Sequence, residues 1–181
     1  MTYYGTKDLA ASFRQVRGNT IQIAEDIPEN KYDFRVAPDC RNVAQTLVHI
    51  AFAPGFQLHL QQNRISDLQT VNFMELVQRF GAEEKKARTK AEIVALLRSE
   101  GENFASYLET LTESFLSEPV AMPPGAQPPT KTRFEMLMSV KEHEMHHRGQ
   151  LMVVERMLGI TPHLTRQMQE RMAQRAATAA R

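Results

Sequence analysis

With 181 residues, the chain is long enough to bury the core of a single domain. Its 22 basic and 21 acidic residues leave a formal net charge of +1, which gives no electrostatic footprint for a nucleic-acid partner. Cys40 is the only cysteine, which excludes an intramolecular disulfide and a CxxC metal site and fits a reducing compartment.

No stretch approaches the ~18 to 20 apolar residues needed to cross a bilayer. Lys7, Asp8 and Arg14 interrupt the N-terminal segment, so it does not read as a signal peptide. The expectation is a cytoplasmic protein with no membrane partner.

Leu9, Phe13, Val16, Thr20, Ile23 and Ile27 recur in steps of three and four. That spacing predicts a core-facing helix ended by Pro28 and Asn30. A connector from Lys31 to Pro38 carries Tyr32, Phe34 and Val36. Asp39 is the expected N-cap of a second helix, from about Arg41 to Gln62, which places Cys40 beside its first turn. Its stripe is Thr46, His49, Phe52 or Ala53, Phe56 and Leu60, with a kink expected at Pro54.

Phe73, Met74, Leu76, Val77 and Phe80 predict a short helix, and the run Glu83-Glu84-Lys85-Lys86 reads as a solvated connection. Thr89 with Glu92 forms a capping box for a third long helix, whose stripe is Ile93, Leu97, Phe104, Leu108, Leu111 and Phe115. Five prolines and Gly125 between Pro119 and Pro129 predict an irregular loop close to the functional site. A fourth long helix, about Arg133 to Leu158, ends at Gly159. Thr161-Pro162 opens a fifth helix with Leu164, Met168 and Met172 on one side. That helix docks on the bundle or on a second subunit, or frays, and its arginines Arg166, Arg171, Arg175 and Arg181 read as a solvated face. No strand is predicted. The fold class is all-α: a four-helix bundle over 1–162, with short extra helices and a C-terminal helical extension over 163–181.

The core stripe of the fourth long helix reads Met136, Val140, His143, His147, Leu151, Val154, Leu158. Two imidazoles thus replace apolar residues in a core seam, four residues apart, where they can share one metal ion. His49, on the stripe of the second helix, is the candidate third ligand from a facing helix. Three imidazoles leave positions open for water or substrate, the catalytic arrangement, and suit zinc or nickel, with iron or copper also possible ions.

His146 lies about sixty degrees around the helix from His143 and is a candidate to support the ligands or relay a proton. Glu144 lies about a hundred degrees away, either a proton relay or facing solvent, and Gln150 returns close to the metal face. Arg148 is expected to pair with a carboxylate, His59 is expected at the surface, and His163 is expected at the surface or as a cap. His143-Glu144-Met145-His146-His147 also spells HExxH, with Glu144 as the base of a zinc peptidase and Glu170 as a downstream third ligand. Gln150 and Val153 occupy the places of the glycine and third histidine of the extended form of that motif, and the peptidase reading leaves His49 unexplained.

Three runs carry a family resemblance: Pro28-Glu29-Asn30-Lys31-Tyr32-Asp33-Phe34, the segment from Val43 to His49-Ile50-Ala51, and His143 through Leu151. Over about residues 6 to 162 the chain resembles the DinB superfamily, four-helix bundles with a three-histidine metal site. The resemblance implies His49, His143 and His147 as ligands of one divalent metal ion, and a homodimer. It also implies transfer of a low-molecular-weight thiol, such as bacillithiol or mycothiol, to a small electrophile held beside the Pro-rich loop. The alternatives are hydrolysis of a small amide or ester and a non-catalytic, metal-stabilised bundle acting in dimerisation or ligand sensing.

Overall fold

The computed structural model describes residues 4–179. Four long helices form the bundle: α1 (Thr6–Asp26), α2 (Val43–Gln62), α4 (Lys90–Glu109) and α6 (Arg133–Met157). α1 and α2 each pack on both α4 and α6, so the cyclic order is α1–α4–α2–α6. This sets α2 beside α6, the neighbourhood that a shared histidine site requires. Three shorter helices decorate the bundle: α3 (Phe73–Glu83), α5 (Glu113–Leu116) and α7 (His163–Ala179). No helix of the described residues is long and apolar enough to cross a membrane.

The helix ends follow local chemistry. α2 begins three residues later than Asp39 would place it, because Asn42 is the cap. Its Oδ1 accepts from Gln45 N at 2.8 Å and its own N–H donates to Gln45 Oε1 at 3.1 Å. Cys40 therefore sits in the connector rather than beside a first turn. α2 runs continuously through Pro54. Thr89 with Glu92, and Thr132 with Glu135, box the starts of α4 and α6. α6 ends in a Schellman motif: Gly159 has φ 78°, Ile160 N donates to Glu155 O at 2.8 Å, and Gly159 N donates to Arg156 O at 3.0 Å.

The third stripe is shorter than its spacing suggests. α4 stops at Glu109, and Phe115 belongs to α5, which Thr112 caps. The proline-rich stretch holds regular structure after all. β1 (Pro119–Ala121) pairs antiparallel with β2 (Thr130–Thr132), with Val120 opposite Lys131. Val120 is fully buried with Leu60 and Met136, so apolar burial anchors a hairpin whose remaining prolines occupy the turn.

α7 starts where Pro162 predicts, but His163 is buried rather than on the surface, with its Nε2 3.2 Å from Asn19 Oδ1. Arg166 pairs with Asp26 of α1 at 2.7 Å. Beyond that first turn α7 is exposed, with Met168 and Met172 open to solvent. Arg181 lies outside the described residues.

The core has two apolar lobes. One joins Ile21, Ile23, Ile27, Leu47, Ile50, Ile93, Leu97, Leu151 and Val154; the other joins Leu9, Phe13, Leu58, Phe104, Leu108, Leu137 and Val140. Between them lies a polar waist. Arg17 of α1 donates through Nε and Nη2 to the Glu144 carboxylate of α6 at 2.9 to 3.1 Å, through Nη1 to Leu97 O of α4 at 2.8 Å, and through Nη2 to Ile50 O of α2 at 3.1 Å. One guanidinium thus touches all three other long helices. Gly101 leaves room for it: a Cβ there would fall 2.8 Å from Arg17 Cγ.

Candidate metal centre

The three histidines converge at the level of this waist, on the α2–α6 side. His49 projects from the middle of α2, while His143 and His147 stand one turn apart on α6. His49 Nε2 lies 3.1 Å from His143 Nε2, and His147 Nε2 lies 3.2 Å from the same atom. One ligand atom from each residue lies within 4.8 Å of the others, which among the described residues makes this the one cluster of histidine, cysteine or carboxylate groups able to hold a metal.

The tautomers follow from the outer partners. His49 Nδ1 lies 2.9 Å from Glu84 Oε1, and a carboxylate only accepts, so Nδ1 carries the proton and Nε2 presents a lone pair. Arg41 grips the same carboxylate, at 2.6 Å from Nε to Oε2 and 3.2 Å from Nη2 to Oε1. His147 Nδ1 lies 2.8 Å from Gln150 Oε1, which frees its Nε2 in the same way. Gln150 Nε2 in turn lies 3.1 Å from Nε2 of the exposed His146. A proton on His143 Nε2 can serve only one facing lone pair at a time, whereas a cation serves all three. Tetrahedral ligands at ~2.0–2.1 Å stand about 3.3 Å apart, close to the two spacings seen. The donor set fits a divalent ion.

Electrostatics keep these rings neutral and ready to ligate. Burial, with Arg41 adding to it, lowers the pKa of His49 below the usual imidazole value. Burial also lowers that of His147. Burial and the neighbouring histidines push His143 down to about 4.

The other site expectations fare unevenly. Glu144 neither faces solvent nor reaches toward the histidines as a base; it is 2% exposed and held by Arg17 in the waist. Arg148 has no carboxylate partner among the described residues, and its Nε is buried without a hydrogen bond. The proline-rich loop contributes nothing to the cavities that border the trio. Sequence reasoning missed Glu84. It belongs to the charge run read as a solvated connection, yet it closes α3 and reaches back to His49 across 35 positions.

Two cavities of about 580 Å³ each flank the trio. His49 and His143 line one, between α2 and α3, with Phe52, Phe56 and Phe80. His147 lines the other, with Phe34, Cys40, Thr46 and Gln150, under the connector that precedes α2. Arg41 borders both. The apolar positions of α2 flanking His49, read as a core stripe, are therefore largely cavity wall.

A family model described as the DinB family matches residues 1–177. The chain belongs to the DinB family. A DinB-type bundle also appears among solved structures. YfiT from Bacillus subtilis is similar at 16% identity with a TM-score of 0.67, covering 89% of this chain and 91% of that one. It is described as a probable metal-dependent hydrolase with an unusual four-helix bundle topology. A DinB-like protein from Bacillus cereus is similar at 17% identity and a TM-score of 0.67, covering 89% of this chain and 97% of that one. The uncharacterized protein YjoA from Bacillus subtilis is 25% identical over 156 residues, 86% of this chain and 92% of that protein. Its crystal structure matches with a TM-score of 0.62 at 22% identity, covering 84% of this chain and 93% of that one. The structural likenesses show a shared DinB fold.

Proposed function

We propose that this protein is a metal-dependent hydrolase of a small amide or ester, with His49, His143 and His147 as ligands of one divalent ion, zinc or nickel. The observation that carries this reading is the convergence of three imidazole nitrogens, two with their tautomers fixed from behind, at the edge of two cavities. YfiT, described as a probable metal-dependent hydrolase on the same fold, supports it. When bound, such an ion supplies Lewis acidity, which brings the pKa of water or a thiol toward neutrality and polarises a carbonyl.

The chain's own groups have separate tasks. Glu84 and Gln150 hold His49 and His147 with their Nε2 lone pairs turned inward. Arg41 holds Glu84 in place for that task. His146, exposed and hydrogen-bonded to Gln150, is the group we assign to exchanging a proton with solvent. Glu144 is a positioning residue, since its carboxylate is committed to Arg17.

A second reading is transfer of a low-molecular-weight thiol to a small electrophile. The second cavity supports it, because it gives a co-substrate room beside His147. Metal analysis of protein purified without an affinity tag tests the shared premise: about one divalent ion per chain is expected, lost in His143→Ala. Absence of metal after supplementation overturns both readings. Side-by-side screens of ester and amide hydrolysis and of thiol–electrophile conjugation then separate them. Strong metal binding with no turnover in either screen would point to a metal-stabilised binding protein instead.

A further inference from the structure

The α2–α3 cavity has a composition that the metal site does not require. Its walls are Phe52, Phe56, Phe73, Phe80, Leu76 and Val77. Phe80 lies so close to α2 that a Cβ on Gly55 would fall 2.9 Å from its ring, and Phe56 meets Phe73 edge-on at 5.7 Å between ring centres. Phe73 and Val77 nevertheless stay 58% and 44% exposed, so α3 holds apolar surface over an open space. Its volume of about 580 Å³ falls within the ~300–1,000 Å³ of small-molecule sites.

One polar group in this wall has a determined orientation. Arg133 Nη1 donates to Gln61 Oε1 at 2.8 Å, and a guanidinium can only donate, so the amide of Gln61 points its Nε2 the other way. That Nε2 donates to Gln57 Oε1 at 3.0 Å. The chain of bonds leaves the NH₂ of Gln57 without a protein acceptor, on a residue only 8% exposed that lines the cavity. The charges nearby offer no counterpart for an ionic ligand inside: Arg41 and Glu84 neutralise each other, and Lys85 is exposed.

We infer that this cavity is the acyl pocket of the site, and that its ligand is an uncharged carbonyl compound with a medium-length alkyl or aryl group, whose oxygen accepts from Gln57 Nε2. The assignment of a reacting carbonyl near His49 and His143 rests on the hydrolase reading. The pocket itself does not, because no metal is needed for the apolar walls and the amide donor to act. Gln57 is on this account a specificity residue, selecting an acceptor, while the four phenylalanines select an apolar body.

Chelator-treated full-length protein with ¹³C-labelled Leu and Val methyls is titrated with acetamide, butanamide, hexanamide and phenylacetamide, following Leu76, Val77 and Val140. Binding should tighten about fourfold per added methylene until the pocket is filled. Ala53→Trp, which fills the pocket from α2, and Val77→Trp, which fills it from the exposed side of α3, should each abolish the shifts, with zinc uptake measured separately. Gln57→Leu should weaken hexanamide about tenfold and leave toluene unchanged. No shift at these methyls with hexanamide or phenylacetamide overturns the pocket, and equal loss of toluene and hexanamide in Gln57→Leu overturns the role of Gln57. If zinc fails to bind while the amides do, the hydrolase reading fails and the pocket stands; zinc binding without amide binding has the opposite meaning.

Discussion

Replacing Arg17 with methionine removes a side chain that joins all four long helices. Arg17 is 3% exposed and Glu144 is 2% exposed, so the substitution leaves a carboxylate inside the bundle with no cation beside it. Of the two carbonyls it also contacts, Leu97 O lies within α4 opposite the N–H of Gly101, whereas Ile50 O stands four residues before Pro54, which has no N–H to give it, so loss of the Arg17 bond to Ile50 O adds to the cost. Breaking a buried pair from one side costs about 3–5 kcal/mol. For a chain of this size that is a fall in melting temperature of roughly 6–20 °C. The double variant Arg17→Met/Glu144→Leu removes the stranded charge as well, and should recover most of that loss. Urea unfolding of the wild type, both single variants and the double variant closes the cycle. A single-variant loss below about 1 kcal/mol, or a double variant no more stable than Arg17→Met, would refute the assignment of the waist as a desolvated ion pair.

Glu84→Ala removes the acceptor behind His49 and should weaken zinc binding about 10–100-fold, as read by competition with a chelating dye, with the fold intact by circular dichroism. Zinc at about a hundred times its Kd should stabilise the wild type by ~2.7 kcal/mol in a thermal melt and do nothing for His143→Ala. Burial, with Asp26 adding to it, pushes the Glu155 carboxyl up to about 7, and neither oxygen has a hydrogen-bond partner. Below about pH 4.3, the ordinary glutamate value, folded and unfolded chains both carry this proton. Between there and about 7 the folded chain holds it and the unfolded chain does not, so this group's contribution to stability is lost as pH rises across that window. Glu155→Gln should therefore be about 1–3 kcal/mol more stable than wild type at pH 8, with the gap closing toward pH 4; a gap independent of pH would contradict the assignment. Ending the chain after Arg166 should shift the melting temperature by only about 2–4 °C, since His163 is the buried residue of α7 and its first-turn contacts survive.

What the sequence showed, and what it hid, separates along physical lines. Helix periodicity located the four long helices because their buried residues repeat every three or four positions. It also put His143 and His147 on one seam and His49 on another. The start of α2 was legible too, in the spacing Asn42 to Gln45, but Asp39 offered a competing cap and only the reciprocal bonds decide between them. Glu84 and Arg17 were invisible for a different reason. Each is a charged residue whose partner is remote in sequence, and a charge run or a lone arginine on a helix most simply reads as solvated. Glu144 was misjudged because the angle from His143 says where a side chain starts, not what waits for it on the opposite helix. The hairpin was missed because the proline count outweighed Val120, whose burial is a tertiary fact. His163 was hidden in the same way, since Asn19 reaches it from the first helix.

The waist also bears on how this chain can change over time. Because a polar layer separates the two apolar lobes, substitutions that repack Leu9, Phe13, Phe104 and Leu137 need not be matched by changes around Ile23, Leu47 and Leu151. Within the layer the opposite holds. A side chain larger than glycine at position 101 would meet the stem of Arg17, and loss of Arg17 strands Glu144, one residue from His143. The lobes are thus free to drift separately, while Arg17 and Glu144 can be exchanged only together, and Gly101 can be enlarged only once Arg17 is gone.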